Sequence, residues 1–312
     1  MQVYKTTELT ELQILKILSL FERIFHKKKS LEFFLQQTLN TPLGYSYHCL
    51  FEKDGRVLGN YCIIPYAYRI EGKKCVCGLS IDSMIAPEAN AGPFLLADMA
   101  EMTLDFAKRD GIDFVFGFPN DNAYAYVKEV LGWQEIGILD FHLIPLTPGM
   151  IKKRLSIFNF FRYLSVVFLT LCKTFASSRE ITFPIEKIDS EIFRKGRYDE
   201  RHHFVKFPGG EVIYTLYEES FGIVAYIIDI TPVSAKNFYS AFLAVAKEVK
   251  GEAGMIAYPS NKLPFGNILR FPRRFLQRKL HLVANGMTGT ALPDVCKEIR
   301  NWKINLSDFD VR

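Results

Sequence analysis

Residues 117–133 read GFPNDNAYAYVKEVLGW, and this stretch carries the strongest fold signal in the chain. The apolar run Phe114–Phe118 is typical of a buried strand, and Asn120 is placed to cap the short helix that follows. Upstream, a strand ends at the IAPE sequence of residues 85–88, and amphipathic spacing predicts a helix over Phe94–Arg109. The order strand, helix, strand, helix predicts a layered α/β domain.

The turn that leads from residues 85–88 into the helix at Phe94 has a chemical consequence. A strand-to-helix turn directs free backbone N–H groups and the positive end of a helix dipole at one point, which suits a pyrophosphate. In open α/β sheets, ligands bind beyond the carboxyl ends of the strands, where neighbouring strands diverge. We therefore expect an anion-binding site at this turn, near Asn120.

Composition narrows the class of protein. The 312 residues are 49% hydrophobic and 23% charged, which is ordinary for a folded globular chain and unlike a disordered, collagen-like or polytopic membrane protein. The net charge of +5 is only a weak indication of a polyanionic partner. Six cysteines without a C-x-x-C pair, and a start without a basic and then apolar leader, predict free thiols, no metal site and a cytoplasmic location.

The second half of the chain repeats the first at an offset of about 140 residues. Gly111–Asn120 aligns with Gly251–Ser260, and in both copies the glycine and the aromatic-proline pair have the same separation. A His-Leu pair follows each copy, at His142 and at His281, and both histidines are interpreted as structural. We interpret the pattern as two copies of one fold, and chance similarity of short apolar strands is the alternative.

The repeat predicts two tandem α/β (α+β) domains, each with a mixed twisted sheet flanked by helices. The predicted boundaries are residues 1–147 for the N-terminal domain, 148–180 for a helical junction and 181–312 for a degenerate C-terminal domain. Within the first domain, a last strand is predicted over Trp133–Ile144.

The junction contains an apolar segment, Ile157–Phe175, that reads IFNFFRYLSVVFLTLCKTF. Its uncharged part runs only from Tyr163 to Cys172, whereas a membrane span needs about 20 apolar residues. We predict a helix packed at the domain junction. The alternative is a helix in the plane of a membrane surface, because Arg162 and Lys173 flank the apolar part.

The chain resembles the GNAT superfamily of acyl-CoA N-acyltransferases, and in particular a bacterial branch with two GNAT-like halves. The resemblance rests on IAPE before a helix and on an Asn-x-x-Ala-x-x-aromatic helix that ends in Leu-Gly-aromatic. It covers most of residues 1–145 and, more loosely, 181–312, where Trp302 and Asp308–Val311 are similar to the ending of that branch. The matching positions of the helix are Asn120, Ala123, Tyr126, Leu131, Gly132 and Trp133.

The resemblance implies transfer of an acyl group from acetyl-CoA or another acyl-CoA to a small amine, an amino sugar being one such amine, bound in a cleft between the halves. It implies Asp82 as the general base and Tyr126 as the acid; a capping or solvated carboxylate, and Tyr124 and Tyr126 as cover for the core, are the alternatives. Asn120 is expected to bond the splayed strands or the pantetheine arm, or else to cap its helix. The implied cofactor-binding residues are Ile85, Ala86, Ala91, Gly92, Phe94, Asn120 and Ala123.

The pyrophosphate loop departs from the family pattern, Arg/Gln-x-x-Gly-x-Gly/Ala. Residues 89–94 read ANAGPF, with one glycine, no arginine, and a proline at Pro93 that has no N–H to donate. Each lost phosphate contact costs about 1.5–3 kcal/mol. The second hypothesis is therefore a non-catalytic binding protein on the same fold that has lost CoA binding.

A third hypothesis rests on the basic tract Arg270–Lys279, which reads RFPRRFLQRK. Aromatic side chains interleaved with arginine stack on nucleic-acid bases or lie on a membrane surface. The rest of the chain has no dense basic face, so a nucleic-acid partner is the less favoured of the two. The sequence makes no prediction of the oligomeric state.

Overall fold

The computed structural model describes residues 1–92, 94–151, 153–276 and 278–309, so Pro93 of the predicted loop lies outside the described residues. Two compact units make up the chain. The first contains Met1–Ile138, Pro184–Arg197 and Leu280–Trp302, and the second contains Leu139–Phe183, Tyr198–Lys279 and Lys303–Arg312. These units do not coincide with the contiguous segments 1–147 and 181–312, and that division stays a prediction.

Both units contain strands and helices. In chain order the strands are β1 (Gln2–Lys5), β2 (Tyr47–Lys53), β3 (Arg56–Ile70), β4 (Lys73–Ile85), β5 (Phe114–Gly117), β6 (Gln134–Ile138), β7 (Asp140–Pro145), β8 (Ile185–Lys187), β9 (His203–Phe207), β10 (Gly210–Glu219), β11 (Gly222–Thr231), β12 (Met255–Ser260), β13 (His281–Gly286) and β14 (Trp302–Lys303). The helices are α1 (Glu11–Phe25), α2 (Leu31–Leu39), α3 (Leu95–Arg109), α4 (Asp121–Glu129), α5 (Phe161–Phe175), α6 (Glu191–Arg197) and α7 (Ala235–Glu248).

The first sheet has the strand order β1-β2-β3-β4-β5-β13-β6, and β8 pairs with the far part of β3. β2, β3 and β4 form a meander because tight turns connect them, whereas α1 and α2 lie between β1 and β2 in the chain. Asp54 and Gly55 have φ values of 51° and 70°, and Glu71 and Gly72 have 47° and 83°. Two successive left-handed residues match the twist of the flanking strands, which closes each hairpin over two residues.

The second sheet has the order β7-β12-β11-β10-β9 and packs against α7. It repeats the first sheet's plan, because a meander leads to one short parallel pair, here Val224–Tyr226 of β11 with Met255–Ala257 of β12. The predicted class, two mixed α/β (α+β) sheets with flanking helices, is confirmed.

The two halves of the chain exchange one strand each. β13 comes from the second half and pairs with β5 and β6 in the first sheet, whereas β7 comes from the first half and pairs with β12 in the second. The single strand predicted over Trp133–Ile144 was therefore wrong, because the run breaks at Leu139 and its two parts find hydrogen-bond partners in different sheets.

Candidate active site

A gap opens between β4 and β5 in the first sheet. The two strands run parallel and pair only over Gly78–Ser80 and Val115–Gly117, while β4 continues to Ile85. Gly78 permits the close approach before the gap, since a Cβ there would lie 2.9 Å from the Val115 side chain on β5. Beyond Ser80, β4 pairs with no residue of β5 among the described residues. This divergence at the strand carboxyl ends is where ligands bind in such sheets.

The loop at the mouth of the gap presents backbone donors. A 3₁₀ turn over Pro87–Ala89 follows β4, and Asn90 and Gly92 then have positive φ values of 47° and 28°. Among the described residues, the amides of Ala91, Gly92 and Phe94 donate to no backbone acceptor. Nothing lies within 4 Å of a Cβ placed on Gly92, so this side of the loop is open. Successive amides of this kind, at a helix start, form an anion nest.

Two other predicted cofactor-binding residues belong to the sheet. The Ala86 amide donates to the Leu58 carbonyl at 2.8 Å, and Ile85 pairs with Gly59 on β3. The Ala86 amide therefore already has an acceptor. Ile85 borders the gap only because it is the last residue of β4.

Asn120 caps α4. Its Oδ1 accepts from the Ala123 amide at 2.9 Å, which is the capping alternative of the sequence analysis. The Ala123 amide is thereby occupied, so the roles of both residues in cofactor binding remain predictions.

Tyr126 joins α4 to the start of α3. Its oxygen accepts a hydrogen bond from the Ala97 amide in the first turn of α3. Desolvation raises the pKa of Tyr126, and the Ala97 bond opposes that shift. The hydroxyl therefore stays protonated at neutral pH, as a proton donor requires, and it lies one turn from the free loop amides.

Asp82, the predicted base, is ion-paired. It has a φ of 50° at a bulge between the pairs Asn60–Met84 and Cys62–Ile81, and its Oδ2 lies 2.6 Å from Lys29 Nζ. The Lys29 ammonium also donates to Gln37 Oε1 at 3.2 Å and lies 4.6 Å from the centre of the Phe21 ring. If this carboxylate took a proton, the part-buried Lys29 ammonium would lose its counter-charge. The ion pair therefore opposes action of Asp82 as a base.

His48 lies fully buried behind this pair. Its Nδ1 is 3.4 Å from Asn60 Oδ1 and its Nε2 is 3.2 Å from Thr6 Oγ1. Burial, reinforced by the charge of Lys29 and opposed by Asn60, lowers the pKa of His48 to about 4. The imidazole is therefore neutral in the folded protein.

The free energy of unfolding is expected to fall by about 3 kcal/mol between pH 7 and pH 4 through His48 alone. In the unfolded chain His48 takes up a proton near pH 6.5, whereas in the folded chain its pKa is about 4. Between these two pH values, protonation of His48 therefore favours the unfolded state. Urea unfolding at several pH values in this range measures the slope of the free energy of unfolding against pH. In His48→Gln the slope should shrink, while exposed His26→Asn should keep it; equal slopes in both variants would contradict the assignment.

A second polar cluster, which the sequence analysis missed, joins Tyr124, Glu135 and His281. Glu135 Oε1 lies 2.8 Å from His281 Nδ1, its Oε2 accepts from the Tyr124 hydroxyl, and the Tyr124 and His281 rings stack with centroids 4.0 Å apart. Against its own desolvation, these two bonds hold the pKa of Glu135 below its ordinary value. Desolvation and the bond to Glu135 raise the pKa of Tyr124 to about 12.

The cluster lies beyond the carboxyl end of β5, the strand that borders the gap. β13 runs antiparallel to β5 with Val283 opposite Gly117, so His281 falls beyond the carboxyl end of β5. Glu135 holds Nδ1, which leaves Nε2 of His281 without a partner among the described residues. An imidazole whose Nδ1 is held by a carboxylate exposes a basic Nε2. The only sequence signal was the repeated His-Leu pair, which carries no information about Glu135.

A cleft of about 430 Å³ lies between α3, α4 and the loop after β13. Its lining includes Ala97, whose amide donates to Tyr126, and it combines apolar side chains with polar ones such as Glu101 and Asn285. Trp133 is one of the lining residues, and its buried Nε1–H has no acceptor among the described residues. The cleft is large enough for part of a ligand anchored at the start of α3.

The basic tract in the second unit is partly neutralised. The buried carboxylate of Asp140 lies 2.9 Å from Arg273 Nε and 3.6 Å from Arg270 Nη1, and the Arg274 guanidinium lies over the Phe275 ring. Two of its arginines therefore serve the fold. Over the described part of the chain, no group of three His, Cys, Asp or Glu side chains could hold a metal ion.

Comparison with known proteins shows similarity at the level of structure. No family model and no curated protein matches the sequence. The chain is similar to a GCN5-related N-acetyltransferase from Anabaena variabilis, with 13% identity, a TM-score of 0.58, and coverage of 95% of this chain and 74% of that one. It is also similar to one from Kribbella flavida, with 13% identity, a TM-score of 0.59, and coverage of 92% and 72%.

A third similar structure is an Enterococcus faecalis protein of unknown function, described as a probable N-acyltransferase, with 13% identity, a TM-score of 0.58, and coverage of 92% and 72%. At these identities the likeness concerns the fold alone. The chain has the fold of the GNAT superfamily.

Proposed function

We propose that the first unit transfers an acyl group from acyl-CoA to a small primary amine. The observation that carries this proposal is the set of free amides at Ala91, Gly92 and Phe94, at the helix start beside the β4–β5 gap. Acyl-CoA supplies the activated thioester. The loop amides would hold its pyrophosphate, because donors and a helix dipole converge on an open space.

The reaction needs a proton acceptor for the amine. An amine is nucleophilic only after its ammonium loses a proton, and we assign that proton to Nε2 of His281, oriented by Glu135. The neutral amine then forms the C–N bond as the C–S bond breaks, and the nitrogen releases its second proton to solvent as the amide forms. We assign protonation of the departing thiolate to the Tyr126 hydroxyl, as the sequence analysis expects. Tyr126 regains from solvent the proton that it gives to the thiolate.

Asp82 is the competing candidate for the base. Its ion pair with Lys29 favours His281 in this role, because protonation of Asp82 would leave the ammonium of a part-buried lysine without its counter-charge. The same pair, together with the reduced loop, favours the second candidate function, a non-catalytic binding protein on the same fold that has lost CoA binding. Binding and turnover must therefore be measured separately.

Gly92→Asp is expected to weaken acetyl-CoA binding by roughly tenfold or more, because a carboxylate would repel the phosphates at the loop. Isothermal titration measures the affinity, and release of the CoA thiol with a panel of amines, including amino sugars, measures turnover. Gly251→Asp is the matched control, since Gly251 has a φ of 82° and equally open surroundings.

Three results are informative. A heat of acetyl-CoA binding that Gly92→Asp abolishes, together with turnover by the parent protein, supports the transferase. Heat without turnover on any amine of the panel contradicts both candidates. The absence of heat at millimolar acetyl-CoA and at millimolar long-chain acyl-CoA removes the transferase and supports the second candidate, which has lost CoA binding.

A further inference from the structure

The outward face of α5 in the second unit is apolar and uncovered. Tyr163 is 75% exposed and Phe175 is 86% exposed, and Leu164, Val167 and Leu171 between them are more than half exposed. The 3₁₀ segment before the helix continues the surface, with Ile157 73% exposed. Only the opposite face, around Ser165 and Leu169, is buried in the unit. A helix on the surface of a globular unit normally has the reverse arrangement.

The few polar groups of α5 do not interrupt this face. The hydroxyls of Thr170 and Thr174 donate to backbone carbonyls one turn earlier, at 2.7 and 2.8 Å, so their hydrogen-bonding capacity is used within the helix. The Arg162 guanidinium donates to the Ala246 carbonyl in α7. The outer surface is thus more apolar than the sequence suggests.

The surface extends sideways into a groove of about 310 Å³ in the same unit. The groove lies between β7, α5 and the segment around Ile268, and Leu143, Pro145 and Phe168 are among its apolar walls. Ile268 is itself well exposed at the groove. An apolar area of this width on one unit indicates an interaction site.

Charge identifies the partner. Residues 151–179 contain six basic residues and no acidic residue. Lys153 and Arg154 are exposed just before the apolar face, and Arg179 follows it. A second copy of this chain would bring the same positive charges together, whereas an anionic lipid surface complements them.

We propose that α5 and the segment before it lie in the headgroup region of an anionic bilayer. Fifteen helical residues are about 22 Å long, less than the hydrocarbon core of about 30 Å. Within the described ranges, no helix has the length and apolar character to cross a bilayer. The helix therefore lies in the plane, its apolar face against the acyl chains and its flanking basic residues on the phosphates. This proposal is independent of acyl transfer.

The test is flotation of the full chain with phosphatidylcholine–phosphatidylglycerol vesicles and with phosphatidylcholine vesicles. Binding should require the anionic lipid and weaken as salt rises. The pair Val167→Asp and Leu171→Asp should reduce binding roughly tenfold or more, because charge would enter the apolar layer. The matched control is Leu12→Asp with Leu15→Asp on the exposed side of α1, which should bind like the parent.

Two further measurements keep the proposal testable if the Val167→Asp, Leu171→Asp variant fails to fold. Lys153→Glu with Arg154→Glu leaves the apolar face intact and should lower binding to anionic vesicles only. Amide exchange of the parent chain should slow within residues 157–175 when vesicles are added. Absence of binding to anionic vesicles, equal loss in the α1 control, or a dimer that the α5 pair dissociates would overturn the proposal.

Discussion

Replacing Trp302 by alanine is expected to lower the free energy of unfolding by about 3–5 kcal/mol. The indole is fully buried in the first unit, with ring centroids 5.8 Å from Phe114, 5.8 Å from Phe116 and 6.2 Å from Tyr68. Its Nε1–H donates to the Cys296 carbonyl at 2.9 Å. Alanine would leave a large cavity under β5 and a carbonyl without its donor.

Urea unfolding measures the change. Trp302→Phe keeps most of the packing and loses the hydrogen bond, so we expect a smaller cost of about 1–3 kcal/mol. Leu12→Ala, at an exposed position of α1, should change stability by no more than about 0.5 kcal/mol. A cost for Trp302→Ala as small as that of Leu12→Ala would show that the C-terminal segment does not complete this core.

Replacing His281 by glutamine is expected to lower the rate of acyl transfer by about 10²–10⁴-fold, the usual contribution of a general base. Glutamine retains a polar side chain of similar size but cannot accept the ammonium proton. The change should appear in kcat, with KM for acyl-CoA close to that of the parent, since the loop amides that hold the cofactor are untouched.

Glu135 is a positioning residue in the same scheme, because it acts through the His281 imidazole. Glu135→Gln should also lower kcat, by a smaller factor than His281→Gln, and Glu135→Asp should restore part of the rate while unfolding at the same urea concentration. Asp82→Asn discriminates between the candidates for the base. If Asp82→Asn abolishes turnover and His281→Gln does not, the assignment is wrong and Asp82 is the base.

Local sequence patterns predicted single elements well. The helix expected over Phe94–Arg109 is α3 at Leu95–Arg109, and the strand expected over Phe114–Phe118 is β5 at Phe114–Gly117. These elements are specified by apolar periodicity and end signals within one segment, and such information is present in a single sequence. The capping position of Asn120 belongs to the same class.

The cluster of Tyr124, Glu135 and His281 was beyond the reach of such patterns. Tyr124 as cover for the core and His281 as a structural histidine are the interpretations that the sequence allows, because Glu135 is not a neighbour of either residue within one helix or strand. Their contact exists only because β13 pairs beside β6 and places His281 against α4. The pairing of Lys29 with Asp82 arises in the same way, between a residue before α2 and a bulge in β4.

From its residues alone, this chain specifies which segments are helix and strand, that the pattern occurs twice, and that a strand-to-helix turn at residues 85–94 suits an anion. Three-dimensional packing settles which sheet receives β7 and β13, whether Asp82 is free, and which face of α5 stays uncovered. Periodicity depends on neighbours a few positions apart, whereas strand pairing, ion pairs and exposure depend on partners that are tens to more than a hundred positions away, which no local pattern records.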